Sequence, residues 1–255
     1  MREHPRVDRR PVRRLKPDPG APPPDDATLQ TWPFTVPAVR QVLREGFELP
    51  TGALVLVGEN GSGKSTVVEL LAGALGLNPE GGSVGTRHST RASEPRPLDM
   101  IVERSPGGER WAYLLRDETL HGLYTYLEDN RGPSSDDEHP GRREPLFHEL
   151  SHGQAFLELL LRRATGPGLY LLDEPDAALS FTGSLALVTA LLDLVGLGAQ
   201  VVVATHSPIV AALPGAEVLE VGPWGLRPAT WERLELVDDW RRFLDAPEAY
   251  LRHLR

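Results

Sequence analysis

An α/β fold built on a mostly parallel sheet is predicted by three features of this sequence. The first is a continuous apolar run at residues 53–57, of strand length, followed by glycines and then by helical spacing in Val67, Val68, Leu70, Leu71, Ala74 and Leu75. The second is the return of that order further on, with strands expected at 169–172 and 200–204, a helix at 184–195 and a short helix after Pro208. Strands that alternate with helices need crossover connections, and crossovers make neighbouring strands parallel. The third is size: 255 residues, 40% of them hydrophobic, can bury the core of one large domain carrying a small insertion.

The elements follow in order. Arg6, Arg9, Arg10, Arg13, Arg14 and Lys16 crowd the start, either as a solvated arm or edge strand or as a contact to phosphate or a partner. A first strand is expected at 12–15 and an irregular Pro-, Asp- and Gly-rich connector at 17–28, so that residues 1–28 form an arm and connector. Phe47-Glu48-Leu49 alternates like a short strand and Pro50-Thr51-Gly52 turns the chain into the buried run. Residues 80–110, rich in Gly, Arg, Ser and Pro, carry little period; a strand is expected at 111–115, a helix at 119–127 and an exposed, mobile loop at 129–145. A helix at 151–164 resumes the regular pattern, and 230–255 reads as two helices broken at Pro247.

Composition excludes several classes. Without cysteine the chain has no disulfide or thiolate metal site. Met1 is followed by basic and proline-rich residues where a secretory signal would be apolar, and no window reaches the roughly 18 consecutive apolar residues of a membrane helix. A soluble, cytoplasmic protein with no integral membrane segment is therefore expected. The net charge of −9 does not favour a nucleic-acid surface overall.

The chemistry is concentrated in a few motifs. Gly58-Glu59-Asn60-Gly61-Ser62-Gly63-Lys64-Ser65-Thr66 joins a buried strand to a helix, the context in which backbone N–H groups and a helix N-terminus wrap phosphate oxygens. Lys64, one of two lysines in the chain, would reach the β and γ phosphates, and Ser65 would offer its hydroxyl to Mg. Residues 169–172 form a strand that delivers Asp173 and Glu174 at its end, one carboxylate to hold a metal-bound water and one to polarise the attacking water. Asp173 is assigned to Mg and Glu174 to general-base catalysis. Leu150-Ser151-His152-Gly153-Gln154 opens a helix, with Ser151 as N-cap and Gly153 permitting close backbone approach.

Taken together, the phosphate loop, Ser151 to Gln154, Asp173-Glu174-Pro175, Ala177-Ala178-Leu179-Ser180 and Thr205-His206-Ser207-Pro208 resemble the ABC ATPase superfamily. More narrowly the chain is similar to small stand-alone bacterial AAA or ABC-type ATPases, through the stretches 32–40, 89–93 and 247–254. The resemblance implies a P-loop NTPase fold of the ABC type: a mostly parallel central sheet, a small antiparallel β portion and a short helical lid. It implies an ATPase domain over 29–229, with 77–150 as lid or helical insertion, and ATP and Mg as cofactors. Gly58, Asn60, Gly61, Ser62, Gly63, Lys64, Ser65 and Thr66 would bind the nucleotide. Glu174, His206 and Lys64 would be catalytic, with His206 sensing the γ-phosphate. Two chains would sandwich two ATPs head to tail, so that Ser151, Gly153 and Gln154 of one copy complete the site held by the other. Either Trp32 or Phe34 would stack on adenine or serve the core.

Two departures from the family pattern stand out. ABC domains carry a Gln between the phosphate loop and the signature segment to bind Mg and relay motion, yet no Gln occurs from Val42 through Gly153, which leaves a polar residue near 87–91 as a substitute. Ser180 stands where transporters carry Asp. The missing Gln and the helix start Gln154-Ala155-Phe156-Leu157-Glu158 favour a stand-alone ATPase coupled to an unknown process over the ATP-binding subunit of a membrane transporter. A DNA-repair or anti-phage ATPase with a nucleic-acid or protein effector is a third reading, although only 86 residues separate Lys64 from Ser151 and no sustained heptads occur. A pure nucleotide switch is disfavoured by Glu174.

Overall fold

The computed structural model describes residues 10–83, 99–129, 146–252 and 254. Expectations at Arg6 and Arg9, at 87–91 and 89–93, and over most of the loop 129–145 lie outside these residues.

The chain opens with β1 (Arg14–Pro17), a four-residue helix α1 (Asp26–Leu29) capped by Asp25, and α2 (Pro37–Glu45). β2 (Phe47–Glu48) leads into the buried β3 (Ala53–Val57), and α3 (Lys64–Ala74) follows the glycine loop. β4 (Gly82–Ser83), β5 (Met100–Glu103) and β6 (Ala112–Arg116) precede α4 (Leu120–Asp129). The chain continues through α5 (His152–Arg163), β7 (Leu169–Asp173), α6 (Phe181–Gly196) and β8 (Gln200–Thr205). A hairpin of β9 (Glu217–Gly222) and β10 (Gly225–Ala229) comes before α7 (Glu235–Asp245) and α8 (Pro247–Leu251), with Pro247 opening the last helix.

Seven strands form the main sheet in the order β10-β9-β3-β8-β7-β6-β4, parallel from β9 to β6 and antiparallel at both edges. A second sheet, β2-β1-β5, is antiparallel throughout. The stretch 77–150, expected as a lid or helical insertion, therefore contributes a strand to the parallel core and another to the small sheet, with α4 as its helix. The basic segment 13–16 is not a free arm: β1 is the middle strand of the small sheet, and buried Gln200 ties it to the core by bonding both the N–H and the carbonyl of Val12.

Period-two alternation sorts the strand residues onto two faces. Val55 and Val57 pack with Val201, Val203, Tyr170 and the helices α4, α5 and α6, whereas Leu54 and Leu56 pack with Val202, Leu171 and the helices α2 and α3. The sheet is thus covered on both sides, which explains why its central strands read as unbroken apolar runs. Among the described residues, no helix is long and apolar enough to cross a membrane.

Register then fixes one edge of the sheet. Val57 lies opposite Thr205, Ala204 opposite Asp173, and Asp173 opposite Arg116. The carboxyl ends of β3, β8, β7 and β6 therefore arrive side by side, where ligands bind in open α/β sheets.

Candidate functional site

The turn from β3 into α3 is shaped by its glycines. Gly61 and Gly63 adopt φ of 76° and 103°, a region that side chains disfavour. A Cβ on Gly58 would lie 2.3 Å from the Val221 carbonyl oxygen, and one on Gly63 would lie 2.4 Å from Val36 Cγ1. The loop is thereby clamped between β9 and the segment leading into α2. Lys64 folds back over it, donating from Nζ to the carbonyls of Gly58 at 2.9 Å and Glu59 at 3.0 Å. Burial pushes the lysine below its ordinary pKa, while Glu174, Asp173 and Asp176 pull it back up. Ser62 Oγ is buried without a hydrogen-bond partner, as a donor prepared for an absent acceptor would be.

Beside the loop, Asp173 ends β7, 5% exposed. Burial raises its carboxyl above the usual range, opposed first by Arg116 and then by the Ser65 hydroxyl. Its Oδ1 is buried without a hydrogen-bond partner. A hydroxyl and an unsatisfied carboxylate oxygen at the mouth of a phosphate loop form a donor set suited to a hard divalent cation that keeps water and phosphate as its other ligands. Ser65 and Asp173, expected to hold Mg, fit that group.

Glu174 follows at φ 52°, the only positive-φ residue other than glycine among those described. Its N–H donates to the Ala204 carbonyl at 2.9 Å, and its Oε1 lies 2.9 Å from His206 Nε2. The loop beneath is braced by Asp176, which accepts from Thr205 Oγ1; that hydroxyl accepts in turn from the Ser207 N–H at 2.9 Å. Burial raises the Asp176 carboxyl, with the Thr205 bond opposing it.

Ser151 caps α5 in a reciprocal box: Gln154 N–H donates to Ser151 Oγ at 3.3 Å and Ser151 N–H to Gln154 Oε1 at 3.1 Å. A Cβ on Gly153 would lie 2.8 Å from both the Ala178 carbonyl oxygen and Leu179 Cδ2, so this segment is seated against the loop that follows Glu174. Ser180 is a helix cap as well, accepting from Gly183 N–H at 3.1 Å.

A cleft of about 1030 Å³ opens at the phosphate loop, lined by residues including Asn60, His206, Pro37, Trp224, Asp239 and Trp240. Ser151, Gly153 and Gln154 are not among its lining residues, nor are Gly63, Lys64, Ser65, Thr66, Asp173 and Glu174. Neither are Trp32, which is 51% exposed, or Phe34; the aromatic rings at the cleft are those of Trp224 and Trp240. No contiguous motif marks these two, because hairpin and helix bring them to the loop from more than 150 residues away.

Arg116 and Asp117 were also not anticipated. Strand register sets Arg116 against Asp173, Nε to Oδ2 at 3.3 Å, and Asp117 Oδ1 lies 2.8 Å from His152 Nε2, though out of hydrogen-bonding alignment. These residues stand at the end of the strand beside the carboxylates, whereas a substitute for the missing Gln is expected from the sequence near 87–91, outside the described residues.

Comparison with known proteins decides the family. The model of the family described as ABC transporter matches residues 46–177, just over half of the chain, from the start of β2 through β7 and the Asp173-Glu174 pair. The chain belongs to the ABC transporter family. It is an ABC-type, ATP-binding P-loop protein and an ATP hydrolase. Among relatives of this ABC ATPase is the cytochrome c biogenesis ATP-binding export protein CcmA of Rhizobium meliloti, 36% identical over 192 residues that cover 69% of this chain and 87% of that protein. CcmA of Paracoccus denitrificans is 33% identical over 182 residues, covering 68% and 77% respectively. Among solved structures, the dimeric MJ0796, a bacterial ABC transporter cassette, aligns at a TM-score of 0.46 with 19% identity, over 73% of this chain and 88% of that one.

Proposed function

We propose that this ABC ATPase is the ATP-binding subunit of an exporter, working as a head-to-tail homodimer on the cytoplasmic face of a membrane partner. The observation that carries the reading is its 36% identity, over 69% of its length, to a protein named as an ATP-binding export protein. The relatives favour this over the stand-alone ATPase that the sequence alone ranked first.

In this reading the N–H groups of residues 60–66 cradle the triphosphate, and Lys64 exchanges the carbonyls of Gly58 and Glu59 for β and γ oxygens. Ser65 and Asp173 would hold Mg, which when bound would offset the negative charge of the phosphate oxygens. Glu174 accepts a proton from the attacking water. His206, 2.9 Å away, orients that carboxylate and faces the phosphoryl group being transferred. Ser151, Gly153 and Gln154, at the start of α5, would close the site of a second copy.

One observation favours a stand-alone enzyme as a second reading: Arg116, not Gln, stands at the strand end beside Asp173. The test is affinity purification of the Glu174→Gln chain from detergent-solubilised membranes in Mg·ATP. Recovery of an integral membrane protein in stoichiometric amount, lost in Lys64→Ala, supports the exporter. Hydrolysis at full rate by the isolated wild-type chain, with no membrane protein recovered, supports the second reading instead.

A further inference from the structure

Arg116 has no part in the catalytic scheme above, yet it is built into the site. Its side chain is 10% exposed, at the end of β6 and in register with Asp173. Nε lies 3.3 Å from Asp173 Oδ2, Nη2 lies 2.8 Å from Glu69 Oε1 on α3, and Nη1 donates to the Pro79 carbonyl at 3.1 Å. On the open side Glu118 Oε2 is 3.6 Å from Nη2. A guanidinium keeps its charge at every working pH and is strongly disfavoured in an enclosed place unless its N–H groups are paired. Here two close carboxylates, a third at 3.6 Å and a carbonyl pair it. One oxygen of Asp173 thus already faces a cation belonging to the chain, while the other, Oδ1, has no hydrogen-bond partner.

We propose that Arg116 is a resident counter-ion of Asp173 that competes with the divalent cation, and so sets the metal concentration at which this ATPase retains nucleotide. The inference rests on Asp173 being the metal carboxylate. A unit positive charge about 3 Å from one carboxylate oxygen weakens the attraction of that carboxylate for any second cation. Glu69 moderates the effect by drawing on the same guanidinium. Arg116 acts here as a positioning and tuning residue, since it is Asp173 that faces the metal.

The test is equilibrium binding of a fluorescent ATP analogue to the full chain while Mg²⁺ is titrated, with folding checked by near-UV circular dichroism. Arg116→Gln should lower the half-saturating Mg²⁺ concentration by about fivefold or more, and Arg116→Lys, which keeps the charge, should stay within about twofold of wild type. Glu69→Gln, which removes the nearest competing carboxylate from the guanidinium, should raise it by about threefold, giving a second reading of opposite sign if Arg116→Gln does not fold. An unchanged or raised Mg²⁺ requirement in Arg116→Gln, or an unchanged or lowered one in Glu69→Gln, overturns the proposal. Binding by the wild-type chain that is identical with and without Mg²⁺ overturns both the proposal and the assignment of Asp173 on which it rests.

Discussion

Glu174 is held at φ 52°, a backbone conformation that disfavours a residue with a Cβ by about 1 kcal/mol or more. The strain is maintained by the Ala204 carbonyl, which accepts from its N–H, and by His206, which lies 2.9 Å from its Oε1. Glu174→Gln preserves the shape and removes the base, so phosphate release should fall by about 10²- to 10⁴-fold with nucleotide affinity nearly unchanged. Steady-state release assayed beside equilibrium binding separates the two effects. Asp176 makes a prediction about pH. Its carboxyl is raised by burial, so its folded-state value lies above the unfolded one, and its contribution to stability is fully present below the ordinary carboxylate range and lost as pH rises through the raised value. Asp176→Asn keeps an acceptor for Thr205 without the charge. Its Tm should exceed that of wild type near neutral pH by about 2 to 4 °C, and the difference should close as pH falls toward 4. At this scale Lys64, Ser65, Asp173 and Glu174 can be put forward from the sequence because each belongs to a contiguous motif. Arg116 cannot, because its pairing with Asp173 spans 57 positions and exists only once β6 and β7 are in register.

Among the elements, the strand, glycine turn and helix around Lys64 were readable from apolar period and turn chemistry alone. The hairpin of β9 and β10 was not: its connection is Pro223-Trp224 in place of the usual Asn-Gly, and Pro228 lies inside the edge strand, where it reads as a strand breaker. α2 was likewise passed over, since Pro33 and Pro37 dominate its approach even though Pro37 occupies the first helical position, where proline is well tolerated. The start of α5 makes the prediction at this scale. Because Gly153 is seated against Ala178 and Leu179, Gly153→Ala must push the signature segment off the loop after Glu174. Crowding of this kind destabilises by about 1–3 kcal/mol, a Tm drop of about 2 to 10 °C by calorimetry, and turnover should fall with it. Ser151→Thr, which keeps the cap, should leave Tm within about 1 °C.

At the scale of the whole molecule, alternation of strands and helices was enough to give the parallel sheet, but not the order in which its strands lie or the way 13–16 is stitched into the small sheet. Sequence motifs named the family; the relatives moved the functional reading from a stand-alone enzyme toward an export subunit, which single-residue departures such as the absent Gln had argued against. Common to both readings is the claim that the sheet edge is half of an ATP site and that Ser151, Gly153 and Gln154 serve the other half from a second copy. Complementation tests it most directly. Lys64→Ala and Ser151→Arg chains are each assayed for ATP hydrolysis alone, then mixed and assayed again. Each alone should be inactive, and the mixture should regain turnover, because a mixed dimer pairs one intact phosphate loop with one intact signature segment. A mixture as inactive as its components, or an active Ser151→Arg chain on its own, would contradict the shared site.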